Sequence, residues 1–104
     1  MVRAVIISAA AEEDVRNIAH YIARDNPQAA GLFEIEFAEA IERLREFPQM
    51  GHTTKEFHEP VLLARISERF RRYLICYRIV NDSRIRIVRV LHGARDIAAV
   101  FGEA

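Results

Sequence analysis

The chain has one cysteine, Cys76, among 104 residues. A single thiol excludes an internal disulfide and suits a reducing compartment, so the cytoplasm is expected. Cys76 falls in the middle of an apolar run and reads as core. No cysteine–histidine spacing matches a zinc site. No run of 18 apolar residues occurs, and no membrane span is expected. The N-terminus lacks a charged leader, a long apolar region and a cleavage site, so no secretory signal is expected. No Gly-x-Gly or Gly-Lys-Ser/Thr pattern is present to cradle a phosphate. No serine sits in a strand–turn–helix nucleophile setting. Neither a cofactor nor a metal is expected. Lysine is nearly missing too: Lys55 stands alone against fourteen arginines. Guanidinium forks grip carboxylates or phosphates with two parallel hydrogen bonds. A GC-rich gene would give the same bias.

What is present suits one globular domain. The apolar fraction of 51% is ordinary. Net charge is zero but unevenly spread. Residues 1–60 hold six cations and eleven anions, and residues 61–104 hold nine and four. Such asymmetry points to a partner selected by charge.

Residues 2–7 form a short apolar run, read as a strand. Ser8 is placed to cap the helix that follows, with Glu12, Glu13 and Asp14 near its positive end. Val15, Ile18, Ala19 and Ile22 keep helical spacing, with Tyr21 beside them. Arg24-Asp25-Asn26 ends this helix. Asn26 and Pro27 start another as N-cap and first helical residue. Ala30, Phe33, Phe37, Ala40, Leu44 and Phe47 form its buried stripe, with Glu39 and Arg43 as a supporting pair on the wet side. Pro48 and Gly51 stop it. The short link implies an antiparallel helical hairpin. Residues 48–60 read as a loop, with His52 and His58 solvated. Residues 61–66 read as a strand that brings Arg65 into the sheet.

Phe70 to Asp96 organises the rest. Two β-branched and aromatic runs flank Asn81-Asp82-Ser83, which is a hairpin signal. A three-residue loop sets Ile79 against Ile85, Tyr77 against Ile87, Cys76 against Val88 and Leu74 against Val90. One face then carries Tyr73, Ile75, Tyr77, Ile79, Ile85, Ile87 and Leu91, and should pack under the helices. Arg89 interrupts it and needs a carboxylate or carbonyl partner there, because an unpaired buried charge is costly. The other face carries Leu74, Cys76, Val88 and Val90, ringed by Arg72, Arg78, Arg86 and His92. It reads as an apolar floor rimmed by cations, suited to an acidic ligand. A β-bulge would reverse these faces, and solvated arginines would need no ligand. Gly93 permits a tight exit at positive φ. Asp96 can cap a last helix running to Phe101. The expected fold is α+β, in the order β-α-α-β-β-β-α. A helical hairpin packs on one face of a mainly antiparallel twisted sheet.

His92 with Asp96 is the pair most like a catalytic one, though a strand-end histidine beside a helix cap explains it more simply. Arg72, Arg78, Arg89 and Arg95 suit either a phosphorane-like transition state or an acidic protein segment. Both readings stay open on the residues alone.

The segments Tyr73-Leu74-Ile75-Cys76-Tyr77-Arg78-Ile79 and Arg89-Val90-Leu91-His92-Gly93-Ala94-Arg95-Asp96-Ile97 resemble the ParE branch of the RelE/ParE toxin superfamily. So do Ser8 to Val15, leading into Ile18 and Tyr21, and Phe47-Pro48-Gln49-Met50-Gly51. The resemblance spans nearly the whole chain in order. It implies a type II toxin held inactive by a ParD-like antitoxin that wraps it. The ParE branch poisons DNA gyrase; the RelE branch cleaves mRNA in the ribosome. This chain departs from the nuclease pattern. Its 48–60 loop holds one lysine, and the tail after Asp96 has no tyrosine or histidine. The expected function is therefore a non-enzymatic gyrase poison, with no direct sequence-specific nucleic-acid binding. The alternatives are a ribosome-dependent RNase and an antitoxin-bound domain that has lost toxicity. The expected antitoxin- or target-binding residues are Arg65, Arg72, Leu74, Arg78, Arg86, Val88, Val90, His92 and Arg95, with no catalytic residue among them.

Overall fold

Ser8 ends the first strand and begins the first helix. Its Oγ accepts the Ala11 N–H at 3.0 Å, as its position in the sequence predicts. The same hydroxyl donates to the Val88 carbonyl at 2.8 Å, tying the helix start to the last strand. The computed structural model describes residues 3–53, 61–93, 96, 99 and 100.

The described elements are β1 (Ala4–Ile7), α1 (Ala9–Ala23), α2 (Pro27–Glu46), a 3-10 turn (Pro48–Met50), β2 (His52–Thr53), β3 (Leu62–Arg65), β4 (Tyr73–Asn81) and β5 (Arg84–His92). Asn26 caps α2 through Ala29 N–H at 3.0 Å, with Pro27 as the first helical residue. The predicted stripe is buried from Ala30 to Leu44, joined by Ile41. Phe47 is the exception. The helix ends one residue before it, and its ring is 63% exposed. Arg43 does not pair with Glu39 as expected. Its Nη2 donates to the Ile66 carbonyl at 2.6 Å, fastening α2 to the end of β3.

The sheet order is β1-β5-β4-β3-β2, with β1 parallel to β5 and the other pairs antiparallel. The α+β class and the helical hairpin on a mainly antiparallel sheet are as expected. Two details differ. The expected 48–60 loop contains a 3-10 turn and the short strand β2, whose His52 and Thr53 pair with Leu63 and Leu62. Lys55 and His58 lie outside the described residues. At the C-terminal end, Gly93 has φ 58°, and Gly93, Asp96, Ala99 and Val100 are helical. Asp96 is thus itself helical rather than preceding a helix as its cap, and Phe101, the expected end of that helix, lies outside the described residues.

The core fills the space between the helices and one face of the sheet. Phe33 is fully buried and meets Phe70 and Tyr73 edge-on, at centroid distances of 5.3 and 5.4 Å. Burying a ring of this kind contributes roughly 1.5–3 kcal/mol. Tyr77 is also fully buried, yet its hydroxyl is matched on both sides. It donates to the Pro48 carbonyl at 2.6 Å and accepts the Gly51 N–H at 3.0 Å. That pair of bonds fixes the turn after α2 against the sheet, so the sheet edge at β2 is built from the inside.

The hairpin register agrees with expectation only between Tyr77 and Ile79. At the turn Asn81 pairs with Arg84, so the loop is Asp82-Ser83 rather than three residues, and Val80 is an extra residue in β4. Ile79 faces Ile85 and Tyr77 faces Ile87. Beyond them a bulge inserts Val88, so Cys76 faces Arg89, Ile75 faces Val90, Leu74 faces Leu91 and Tyr73 faces His92. One extra residue exchanges the two faces of everything that follows. Val90 therefore joins the helix-side core, and Leu91 clusters with Cys76, Leu63 and Leu74 on the outer face.

Candidate functional site

Among the described residues, no helix residue joins the apolar cluster on the outer face of the sheet. Its centre is Cys76 and Leu91, with Leu63 and Leu74 packed around them. Arg65 lies opposite Leu74 across the β3–β4 ladder. Arg78 and Arg86 lie opposite each other across β4 and β5. Beside them runs a groove of about 580 Å³ lined by Met50, His52, Leu63, Arg65, Arg71 and Leu74. The groove has an apolar floor and a cationic rim. Cys76 is not a reactive element of it. Burial pushes its thiol up to about 12 against the lowering effect of Arg89, so it stays protonated at neutral pH.

The residues expected on this face divide as follows. Arg65, Leu74, Arg78 and Arg86 are there. Val88 is the bulge residue, half-buried, with its carbonyl taken by Ser8. Val90 is buried in the helix-side core, because the bulge turns it over. His92 is turned over by the same bulge, and its ring meets Tyr73 edge-on at 5.1 Å. Arg72 sits in the turn before β4, exposed, where its carbonyl accepts the Gly93 N–H at 2.7 Å. Arg95 lies outside the described residues. Met50, His52, Leu63 and Arg71 were not anticipated. Leu63 alone left a trace in the sequence, as an apolar residue two before Arg65 on the same strand face.

At the other end of β5, Arg89 has the partner that its position demanded. Its Nε and Nη2 donate to the two oxygens of Asp14 on α1, at 2.7 and 2.8 Å. Oδ2 of Asp14 also accepts the Val90 N–H at 2.9 Å. The hydrogen bond to Asp14 raises the Arg89 pKa further above its ordinary value, against burial, which lowers it. This arginine is structural, and the pair fastens α1 to the sheet beyond the end of β1. The Asp96 carboxylate accepts the backbone N–H of His92 at 3.2 Å. That bond runs to the His92 backbone and not to its imidazole. Among the described residues no histidine, cysteine and acid group could hold a metal ion. No described helix is long and apolar enough to cross a membrane.

No curated protein matches the chain. The family model for the ParE toxin of type II toxin–antitoxin systems, parDE, matches residues 5–97. That span begins in β1 and runs through the whole sheet to the residue after Asp96. On that match the chain belongs to the ParE toxin family.

Proposed function

We propose that this ParE-family toxin acts in the cytoplasm as a non-enzymatic poison of DNA gyrase, and that a ParD-like antitoxin neutralises it by covering the outer face of the sheet. The observation that carries the antitoxin part is the outer face itself. Leu63 and Leu74 offer apolar anchoring points, and Arg65, Arg71, Arg78 and Arg86 surround them with charge. An acidic, amphipathic segment that folds on binding fits such a surface.

The gyrase part is supported by the family and by the chemistry of the residues. RNA cleavage needs one group to take the 2′-hydroxyl proton and another to protonate the leaving oxygen. His92 is on the helix side, away from the outer-face arginines, with its ring against Tyr73. The test pairs a gyrase supercoiling assay with primer extension on ribosome-bound mRNA, for wild type and His92→Gln. Loss of supercoiling by both proteins, with intact transcripts, is expected. Codon-specific cleavage that disappears in His92→Gln, with supercoiling untouched, would replace this reading by the RNase. A general acid or base would lose roughly 10²–10⁴-fold in rate on that change.

The antitoxin surface has its own test. Arg65→Glu and Arg78→Glu are expected to weaken the antitoxin complex and to flatten its salt dependence, because rim charges are screened by ions. Arg16→Glu, on the exposed side of α1, should change little. Equal small losses for all three would place the antitoxin elsewhere.

A further inference from the structure

A second recess lies on the opposite side of the sheet, between α1 and the end of the hairpin. It holds about 270 Å³ and is lined by Asn17, Ile18, Tyr21, Tyr73, His92 and Asp96. It adjoins the cleft in which Arg89 rests on Asp14. Its character is the reverse of the outer face. The rim carries Asp96 and the walls are two tyrosines. Tyr21 is 64% exposed, a large ring left in water on a helix that buries its neighbours Ile18 and Ile22 at least in part. Tyr73 is held edge-on by Phe33 and His92, at 5.4 and 5.1 Å. Nδ1 of His92 is buried and has no hydrogen-bond partner among the described residues. Burial first, then Tyr21 and Asp96, raise the Tyr73 phenol above its usual range, and Glu13 adds to the field felt by Arg89.

We infer that this recess is an interaction site for a basic side chain, an arginine or lysine presented by a partner protein next to an apolar residue. Aromatic faces attract cations, and the attraction grows when a carboxylate stands beside them. The adjoining cleft already accepts one guanidinium, that of Arg89, on an α1 carboxylate. Ile18 at the base of the recess suits the apolar neighbour. The acidic segment proposed for the outer face would be repelled here, so the two surfaces select different chemistry. The inference does not depend on the gyrase reading.

The test uses the full chain with aromatic carbon labelling and follows the tyrosine ring signals by NMR. The probes are N-acetyl-arginine amide and its neutral isostere N-acetyl-citrulline amide. Saturable shifts of Tyr21 and Tyr73 are expected with the arginine probe, which should bind about two- to fivefold more tightly than citrulline. Tyr21→Leu keeps an apolar side chain at an exposed position where folding does not need the ring. It should bring arginine binding down to the citrulline level. Equal binding of the two probes, or no shift from either, overturns the inference. Shifts of both tyrosines by guanosine monophosphate but not by arginine would overturn it too, and would make the recess a nucleobase site.

Discussion

Asp14→Ala is expected to lower the unfolding free energy by about 3 kcal/mol, the low end of the range for breaking a buried ion pair. The low end applies because the Arg89 side chain keeps 29% of its surface exposed, although Asp14 keeps only 12%. Three donors converge on this carboxylate: two guanidinium nitrogens and the Val90 N–H. Alanine leaves the guanidinium without its counter-charge and the N–H without an acceptor. Asp14→Asn should cost less, because the amide oxygen can still accept from Val90. Arg89→Ala leaves a poorly solvated carboxylate with one donor, so it should also be damaging. The double change Asp14→Ala with Arg89→Ala should cost clearly less than the two single losses added together. Urea unfolding of the four proteins measures this. Losses within about 0.5 kcal/mol, as at an ordinary surface position, would mean that the pair contributes nothing to holding α1.

Gly51→Ala is the second large effect expected. A Cβ there would stand 2.5 Å from the Tyr77 hydroxyl, 2.9 Å from its Cε1 and 3.0 Å from the Leu63 carbonyl. None of these can retreat easily. The ring is fully buried, its hydroxyl is held by Pro48, and the carbonyl belongs to the strand that pairs with β2. Overpacking of this kind costs about 1–3 kcal/mol, and the upper end is expected. Tyr77→Phe should cost about 1–3 kcal/mol for a different reason, since the Pro48 carbonyl and Gly51 N–H lose their partner. The two changes should interact favourably. Removing the hydroxyl opens the space that the alanine methyl needs, so the double variant should be more stable than additivity predicts. Thermal unfolding of the set is the measurement, and strict additivity would show that the contact does not limit the site. A second readout is the outer groove, because losing this anchor releases His52 from its wall.

These two sites show what could and could not be read from the residues. The caps at Ser8 and Asn26, the α2 stripe from Ala30 to Leu44 and the need of Arg89 for an acid are local or periodic signals, and each is present as expected. The bulge at Val88 is not local. Ile87 and Val88 are both β-branched, and Val90 and Leu91 are both apolar, so either face suits either phase of the strand. What selects the phase lies some eighty residues away in sequence. Ser8 takes the Val88 carbonyl, and Asp14 takes the Val90 N–H. Two of the nine residues expected at the site changed faces with that one residue. Arg65, Arg78 and Arg86 stayed on the outer face, and Val90 and His92 crossed to the other. β2 was missed because two polar residues carry no alternation. Phe47 was misplaced because helical spacing continued past the point where Pro48 ends the helix.

A sheet edge is where identical chains most readily join, because its open backbone groups invite another strand. Past the end of β1, the outward groups of β5 are already occupied. Ser8 N–H meets the Ile87 carbonyl, the Ser8 hydroxyl meets that of Val88, and Asp14 and Asp96 meet the N–H groups of Val90 and His92. Edge-to-edge polymerisation along this stretch would first have to pull the start of α1 off the sheet. The same contacts that anchor the start of α1 therefore withhold this stretch of β5 from any added strand.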